Sequence, residues 1–327
     1  MRKRIVIPGH KSRIQLLRSW ARLMPGMTIW RWIGAISVAT TAVAAIILRP
    51  HENTVPEKLA CLTDSDERTS HPGMVWIPGG TFEMGDDIYP EEGPRRIVAV
   101  DGFWMDRTEV TNAEFASFVR ATNYVTLAER PGKTGAAVFV MPSGNADLGT
   151  AASWWRYVEG ANWKHPGGPD TSINNRDQFP VTALAYEDIA AYAKWKGSSL
   201  PSEAQWEWAA RAGAKRAPDH EQPKDANTWQ GVFPLINTAE DGFAGIAPVG
   251  CFKPNGYGLH DMIGNVWEWT TDEFAGHAPK ARVIKGGSYL CAPNYCMRYR
   301  AAARQPQEED LGTSHVGFRT ILNTPGP

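Results

Sequence analysis

Cys291 and Cys296 are the residues of this 327-residue chain whose types and spacing most invite chemistry. They stand five positions apart in RVIKGGSYLCAPNYCMRYRAAAR, residues 282–304, around Pro293 and Asn294 and just after the turn-forming pair Gly286-Gly287. A loop of that length with a Pro-Asn turn brings two thiols close enough to close a disulfide or to bind one metal ion together. Arg282, Lys285, Arg298, Arg300 and Arg304 flank the pair, and neighbouring positive charge lowers a thiol's pKa and favours thiolate. Two thiolates without a His–Cys cluster beside them make a poor structural zinc site, which wants four ligands. Two soft ligands do suit linear Cu(I). A plain disulfide in an oxidising compartment stands as the alternative.

Two further stretches are rich in hard oxygen ligands. ANTWQGVFPLINTAEDGF (residues 226–243) offers Asn227, Asn237, Glu240 and Asp241, and GLHDMIGNVWEW (residues 258–269) offers Asp261, Asn265 and Glu268, with exposed carbonyls expected near Gly264. Calcium takes six to eight oxygens from carboxylates, amides and main-chain carbonyls, which loops supply readily. Neither stretch follows the EF-hand pattern, so ordinary turn capping competes with cation binding at both. The eight His are scattered without a metal-type pair, and no nucleophile elbow, phosphate loop or dinucleotide fingerprint occurs. Cys61, in a polar stretch, is expected to be a lone exposed thiol, and Cys251, beside Phe252, a buried structural one.

These residues need elements to hold them. GMVWIPGGTFEMG (residues 73–85) predicts two short strands around a Gly-Gly turn, and alternation at Ile97, Ala99, Phe103 and Met105 predicts a half-buried strand pair. Thr111 and Glu114 form a capping box for a helix whose core stripe is Phe115, Phe118 and Val119. A second helix fits Tyr186–Lys196. A third begins after Pro201 with Ser202 and Gln205 as its cap pair and Gly213 as its stop. Fourteen Trp, 31 Gly and 24 Pro accompany long irregular stretches, which predicts an irregular α+β domain fixed by large aromatics and metals.

Charge is unevenly placed. Residues 1–50 carry nine Lys/Arg and no acid, leaving 25 basic against 35 acidic side chains beyond them, a net −10 that excludes nucleic-acid binding by bulk charge. The uncharged stretch WIGAISVATTAVAAIIL, residues 32–48, follows eight of those basic residues and is just long enough to span a bilayer. The expected organisation is a cytoplasmic basic segment (1–31), a single inner-membrane anchor (32–48), a linker (49–71), a domain on the periplasmic side (72–322) and a tail (323–327). A cleavable signal peptide, with AVAA at residues 42–45, is the rival reading.

Several stretches together resemble one family, the formylglycine-generating enzymes (sulfatase-modifying factors), in its bacterial form. They are GMVWIPGGTFEMG, DRTEVTNAEFASFV, GANWKHPGGPDTSI, LPSEAQWEWAARAG, NTAEDGFAG, NGYGLHDMIGNVWEWTTD, KGGSYLCAPNYCMRYRAAAR and GTSHVGFR, in order across residues 72–322. The resemblance implies a C-type-lectin-like α+β scaffold. It also implies an oxidase that converts the Cys of a Cys-x-Pro-x-Arg segment in sulfatases to Cα-formylglycine, with dioxygen, a thiol reductant and Cu(I) held by Cys291 and Cys296. Ser288, Trp267 and Tyr295 match residues at the family's active site. Asn227, Thr228, Asp241 and Phe243 match one structural calcium site, and Asp261, Gly264, Val266 and Glu268 a second. Ala292 departs from the pattern, because many members carry His directly after the first active-site Cys. A same-scaffold oxidase acting on another thiol or small molecule, and a non-enzymatic lectin-like binding module, are the competing functions; the paired cysteines argue against the module.

The topology has a direct test. A reporter active only outside the cytoplasm, fused after Pro50, is expected to be active, and an inactive fusion contradicts the orientation.

Overall fold

The computed structural model describes residues 61–62, 70–132, 134–142, 153–214 and 221–326. The basic segment and the apolar stretch 32–48 lie outside the described residues, among which no helix is long and apolar enough to cross a membrane.

Among the described residues, short strands and three α-helices carry long connecting loops. β1 (Met74–Ile77) and β2 (Gly80–Met84) flank the Gly-Gly turn as expected, but they do not pair with each other. β2 pairs antiparallel with β3 (Arg96–Val100), whereas β1 pairs with β4 (Phe103–Asp106), which also pairs with the C-terminal β13 (Ile321–Leu322). The expected phase of β3 is reversed. Val100 is buried and Val98 half-buried, while Ile97 is 71% exposed. The run Ile-Val-Ala-Val is apolar at both phases, so alternation alone could not say which set faces inward. In β4 Phe103, Trp104 and Met105 are all buried, as suits a strand with neighbours on both edges.

The three helices form where the sequence predicts them, two of them on the expected capping boxes. α1 (Asn112–Thr122) opens with the expected box: the Thr111 hydroxyl accepts from the Glu114 amide at 3.3 Å, and the Thr111 amide donates to Glu114 Oε2 at 2.8 Å. α2 is Tyr186–Lys196. α3 (Glu203–Arg211) opens on the Ser202/Gln205 box and ends one residue before the expected stop, with Ala212 itself in the left-handed conformation. α3 places Trp206 and Trp208 in a core of Phe82, Met84, Phe103 and Met105, and α1 and α2 put Phe115, Phe118 and Tyr192 into another beside Trp267, Trp269 and Phe318.

The sheet that bears on function has four strands in the order β11 (Arg304–Glu308), β10 (Ala281–Lys285), β9 (Trp267–Glu273), β12 (Val316–Gly317). β12 runs parallel to β9; the other neighbours are antiparallel. Two ribbons, β5 (Gly135–Phe139) with β6 (Trp155–Glu159) and β7 (Gly231–Val232) with β8 (Ile236–Asn237), complete the set. The chain between β10 and β11 contains the Cys291–Cys296 loop.

Cys61 corrects the sequence reading. It is neither lone nor free: it is disulfide-bonded to Cys251, 190 residues away, and the Leu62 amide donates to the Gly250 carbonyl at 3.0 Å. Sequence separation concealed the pairing, because a disulfide joins residues by proximity in the fold. Its sulfurs pack with Ala247, Phe252 and Phe243.

Candidate functional site

The thiol loop starts at a turn only glycine can make. Gly286 and Gly287 have φ of 95° and 78°, and a Cβ on Gly287 would lie 2.6 Å from the Arg298 carbonyl oxygen. From there the chain runs inward to Cys291, whose amide donates to the Ser288 carbonyl at 2.9 Å, and turns back through Pro293-Asn294. Ala292 and Tyr295 exchange backbone hydrogen bonds of 2.8 and 3.0 Å. The Asn294 amide group clasps the backbone of Phe233 on both sides, donating to its carbonyl at 2.9 Å and accepting from its amide at 3.2 Å. Cys296 and Met297 are then forced to φ of 77° and 43°, a conformation that costs side-chain-bearing residues about 1–3 kcal/mol each.

The outcome is an unbonded thiol pair with Sγ atoms 2.7 Å apart. All five residues matched to an active site, Cys291, Cys296, Ser288, Trp267 and Tyr295, line one cavity of about 70 Å³, together with Trp155, Phe233, His315 and two others. Tyr295 stacks on Phe233 with ring centroids 4.3 Å apart and meets the edge of Trp154. The site opens beside an apolar, aromatic surface, where Val232, Leu235, Ile236 and Tyr295 are exposed.

The two thiols are not equivalent. Burial pushes Cys291 well up, and the neighbouring Cys296 adds to it. Burial also pushes Cys296 up, but the hydrogen bond from Cys291 together with the charge and hydrogen bonding of Arg298 outweighs it, so its pKa is lowered. Cys296 is therefore the more readily ionised thiol of the pair.

The expected basic surround is corrected by the structure. Arg298 alone among the five flanking cations is turned to the pair; its guanidinium also lies 4.0 Å over the Tyr89 ring and pairs with Glu91. Lys285 pairs with Glu203 and Glu207, Arg300 with Asp86 and Glu92, Arg304 with Glu203, and Arg282 with Glu309. A sequence shows the cations near the cysteines and hides the acids from distant segments that neutralise them. Tyr89 was likewise invisible: its hydroxyl donates to the Cys296 carbonyl at 2.8 Å from a loop 207 residues away.

The oxygen-rich loops lie directly behind this centre. In the first, Asp241 accepts from the amides of Thr228 and Phe243 at 3.1 and 3.0 Å, which gathers Asn227, Thr228, Asp241 and Phe243 into one turn system. Asn227 Oδ1 is buried and has no hydrogen-bond partner. Asn237 caps a local turn, accepting from the amides of Gln230 and Ala239.

In the second, Asp261 accepts from the Gly250 amide at 2.6 Å and lies beside Glu109, a buried carboxylate the sequence reading did not single out. Burial pushes Asp261 up to about 6 and Glu109 well up, each raised further by nearby negative charge; Glu109 Oε2 has no partner. Glu268 is committed elsewhere. Its oxygens accept from Arg319 at 2.7 and 2.7 Å and from Trp206 Nε1 at 2.7 Å. Gly264 approaches the other loop so closely that a Cβ would lie 2.3 Å from the Asn227 carbonyl oxygen. Among the described residues no three His, Cys, Asp or Glu side chains converge as a metal cluster.

The chain matches the family described as sulfatase-modifying factor enzyme 1-like domain over residues 60–324. It is 46% identical to a formylglycine-generating enzyme of Mycobacterium tuberculosis over 291 residues, covering 76% of this chain and 97% of that protein. A mouse protein named inactive C-alpha-formylglycine-generating enzyme 2 is 39% identical, covering 78% and 87%. Among solved structures, PvdO from Pseudomonas aeruginosa shares the fold, with a TM-score of 0.54, 24% identity and coverage of 77% and 94%.

The paired buried carboxyls give a signed expectation. Asp261 is raised above its ordinary value near 3.8, so its contribution to stability is present below that value and is lost as pH rises through about 6. In cation-free buffer the parent is expected to lose more stability between pH 4 and 7 than Asp261→Asn does, by a few kcal/mol at most. Calcium added at pH 7.5 is expected to raise the parent's melting temperature, and that of Asp241→Ala and Asp261→Asn less. Calcium responses equal to the parent's in both variants contradict a cation role for these loops.

Proposed function

The chain belongs to the sulfatase-modifying factor enzyme 1-like family, and from that premise we propose that it is a formylglycine-generating oxidase that matures sulfatases. Because the family includes relatives named inactive, the reading is carried by one observation: two unbonded thiols 2.7 Å apart at the wall of an aromatic-lined cavity. The target is the Cys of a Cys-x-Pro-x-Arg segment, presented as an extended, unfolded stretch of sulfatase polypeptide.

The donor set supports copper(I). It is soft, contains two sulfurs and has no converging third His, Cys, Asp or Glu among the described residues, which fails a four-ligand zinc site and suits a low-coordinate soft ion. Cys291 and Cys296 would hold it, and bound there it supplies the one-electron chemistry with dioxygen that thiols alone lack. The overall balance is closed. Converting CH2–SH to an aldehyde releases sulfide and two electrons, reduction of dioxygen to water consumes four, and a thiol reductant supplies the remainder.

The protein's own groups do the rest. Arg298 favours the thiolate form of Cys296, and the Cys291 thiol donates to it. Ser288, fully buried, ties the loop by accepting from the Leu290 amide at 3.3 Å. Trp267, Phe233 and Tyr295 exclude water from the reacting sulfur. Ala292 is completely buried and offers no imidazole beside the thiols.

Calcium is proposed as the structural ion of both loops, supported at the first by the buried, unpartnered Asn227 Oδ1 and at the second by Glu109 and Asp261, which need either protons or a cation. The second site takes Asp261, Glu268 and the main chain at Gly264 and Val266, with Glu109 as a further buried carboxylate and Arg319 hydrogen-bonded to Glu268. A single-pass inner-membrane anchor with the domain in the periplasm is supported by the basic lead before residues 32–48 and by the Cys61–Cys251 disulfide, a bond characteristic of oxidising compartments.

The protein with copper(I), air and a thiol is expected to convert a Cys-x-Pro-x-Arg peptide to its aldehyde. Cys291→Ser and Cys296→Ser are each expected to abolish conversion, since a hydroxyl is too hard a ligand for Cu(I). Aldehyde formation by a folded Cys296→Ser protein at the parental rate contradicts the mechanism.

A further inference from the structure

His315 lines the thiol cavity without a part in holding the thiol loop. Its backbone is fixed: the carbonyl accepts from the Trp267 amide at 2.9 Å, and the next two residues form β12 beside β9. Its ring is fixed as well, packed against Trp155 with centroids 4.6 Å apart and planes tilted by 49°. Yet the imidazole has no hydrogen bond. Nδ1 is buried without a partner, and burial alone accounts for the ring's displaced titration, with no hydrogen bond to either nitrogen contributing. A buried polar group left unpaired costs about 1–3 kcal/mol, and such a group calls for an explanation in a bound ligand or a function.

Two other roles fit these surroundings poorly. A metal-ligand role finds no support, because no group of three His, Cys, Asp or Glu capable of holding an ion occurs among the described residues. A standing general base is excluded by strength: burial pushes the ring's pKa down to about 3, so it cannot retain a proton at neutral pH. A rigid, neutral ring with both a donor and an acceptor nitrogen remains. An extended peptide inserted beside it carries unpaired backbone N–H and C=O groups that need such partners once they leave water.

We infer that His315 is a substrate-contacting, specificity-determining residue, whose neutral imidazole hydrogen-bonds the peptide segment that delivers the target cysteine to Cys291 and Cys296. The inference rests on the formylglycine-generating reading and deepens it, by placing peptide recognition on the β12 side of the cavity.

The test separates binding from chemistry. The probe for binding is a Cys-x-Pro-x-Arg peptide with Ser in place of the reactive Cys; conversion is followed with the Cys form. His315→Phe keeps the aromatic contact with Trp155 and removes both nitrogens, and His315→Leu serves if the Phe ring does not pack. Kd for the Ser peptide and KM for the Cys peptide are each expected to rise about tenfold, with kcat within about twofold of the parent. The melting temperature is expected to be unchanged or higher, because an unpaired polar group has been replaced by an apolar one. His315→Asn, which returns an amide near the position of the unpartnered Nδ1, is expected to recover most of the affinity. A folded Phe or Leu variant that binds the Ser peptide as tightly as the parent overturns the inference alone, as does a fall in kcat at unchanged KM. A parent that neither binds nor converts the peptides overturns the inference together with the functional reading.

Discussion

Charge buried at the centre of the domain sets the terms for everything around it. Glu268 on β9 and Lys285 at the end of β10 are adjacent in the sheet register and are respectively 1% and 0% exposed. A charge buried there needs a partner, and removing one member of a buried pair costs about 3–5 kcal/mol. Arg319 arrives from beyond β12 to hold Glu268 by two hydrogen bonds, while Glu203 and Glu207 arrive on α3 to hold Lys285 at 3.3 and 3.0 Å. Glu207 in turn accepts from the Gly85 amide and pairs with Arg211. Thus the C-terminal segment, α3 and the loop after β2 all converge on the base of the Gly286-Gly287 turn. Few regular elements are needed to fix the turn because the charges fix it.

The thiol loop inherits that rigidity and is tightened from the other side by the oxygen-rich loops. The Gly264 amide donates to the Gly286 carbonyl at 3.0 Å, Tyr289 donates to the Asn265 carbonyl at 2.9 Å, and Trp229, two residues after Asn227, donates to the carbonyl of Cys291 itself at 3.0 Å. Cation binding at Asn227 or Asp261 would therefore act on the reaction centre through main-chain hydrogen bonds, without touching a sulfur. The disulfide between Cys61 and Cys251 braces the same region, since the neighbouring Gly250 amide holds Asp261. Oxygen-rich loops, disulfide and thiol pair are three layers of one arrangement.

Much of this was legible in the sequence where the signal is local. Helices α1 and α3 announce themselves by their capping boxes and α2 lies over the expected 186–196, and the Cys–Pro-Asn–Cys spacing does bring two sulfurs together. What was missed is non-local or ambiguous. The phase of β3 was lost because Ile97-Val98-Ala99-Val100 satisfies alternation both ways. The disulfide joins cysteines 190 residues apart, and all of the flanking cations are paired with acids, among them Asp86, Glu91 and Glu92 from a distant loop and Glu203 and Glu207 on α3. Glu109 and His315 carry no spacing signal at all; each becomes visible only as a buried atom without a partner.

The central claim is that Cys291 and Cys296 act together as a soft, two-sulfur centre. X-ray absorption at the copper edge of the Cu(I)-loaded protein measures this directly. The account predicts a first shell made of sulfur alone in the parent and no ordered copper in Cys291→Ser. A shell dominated by nitrogen or oxygen, or one unchanged by that substitution, would contradict it.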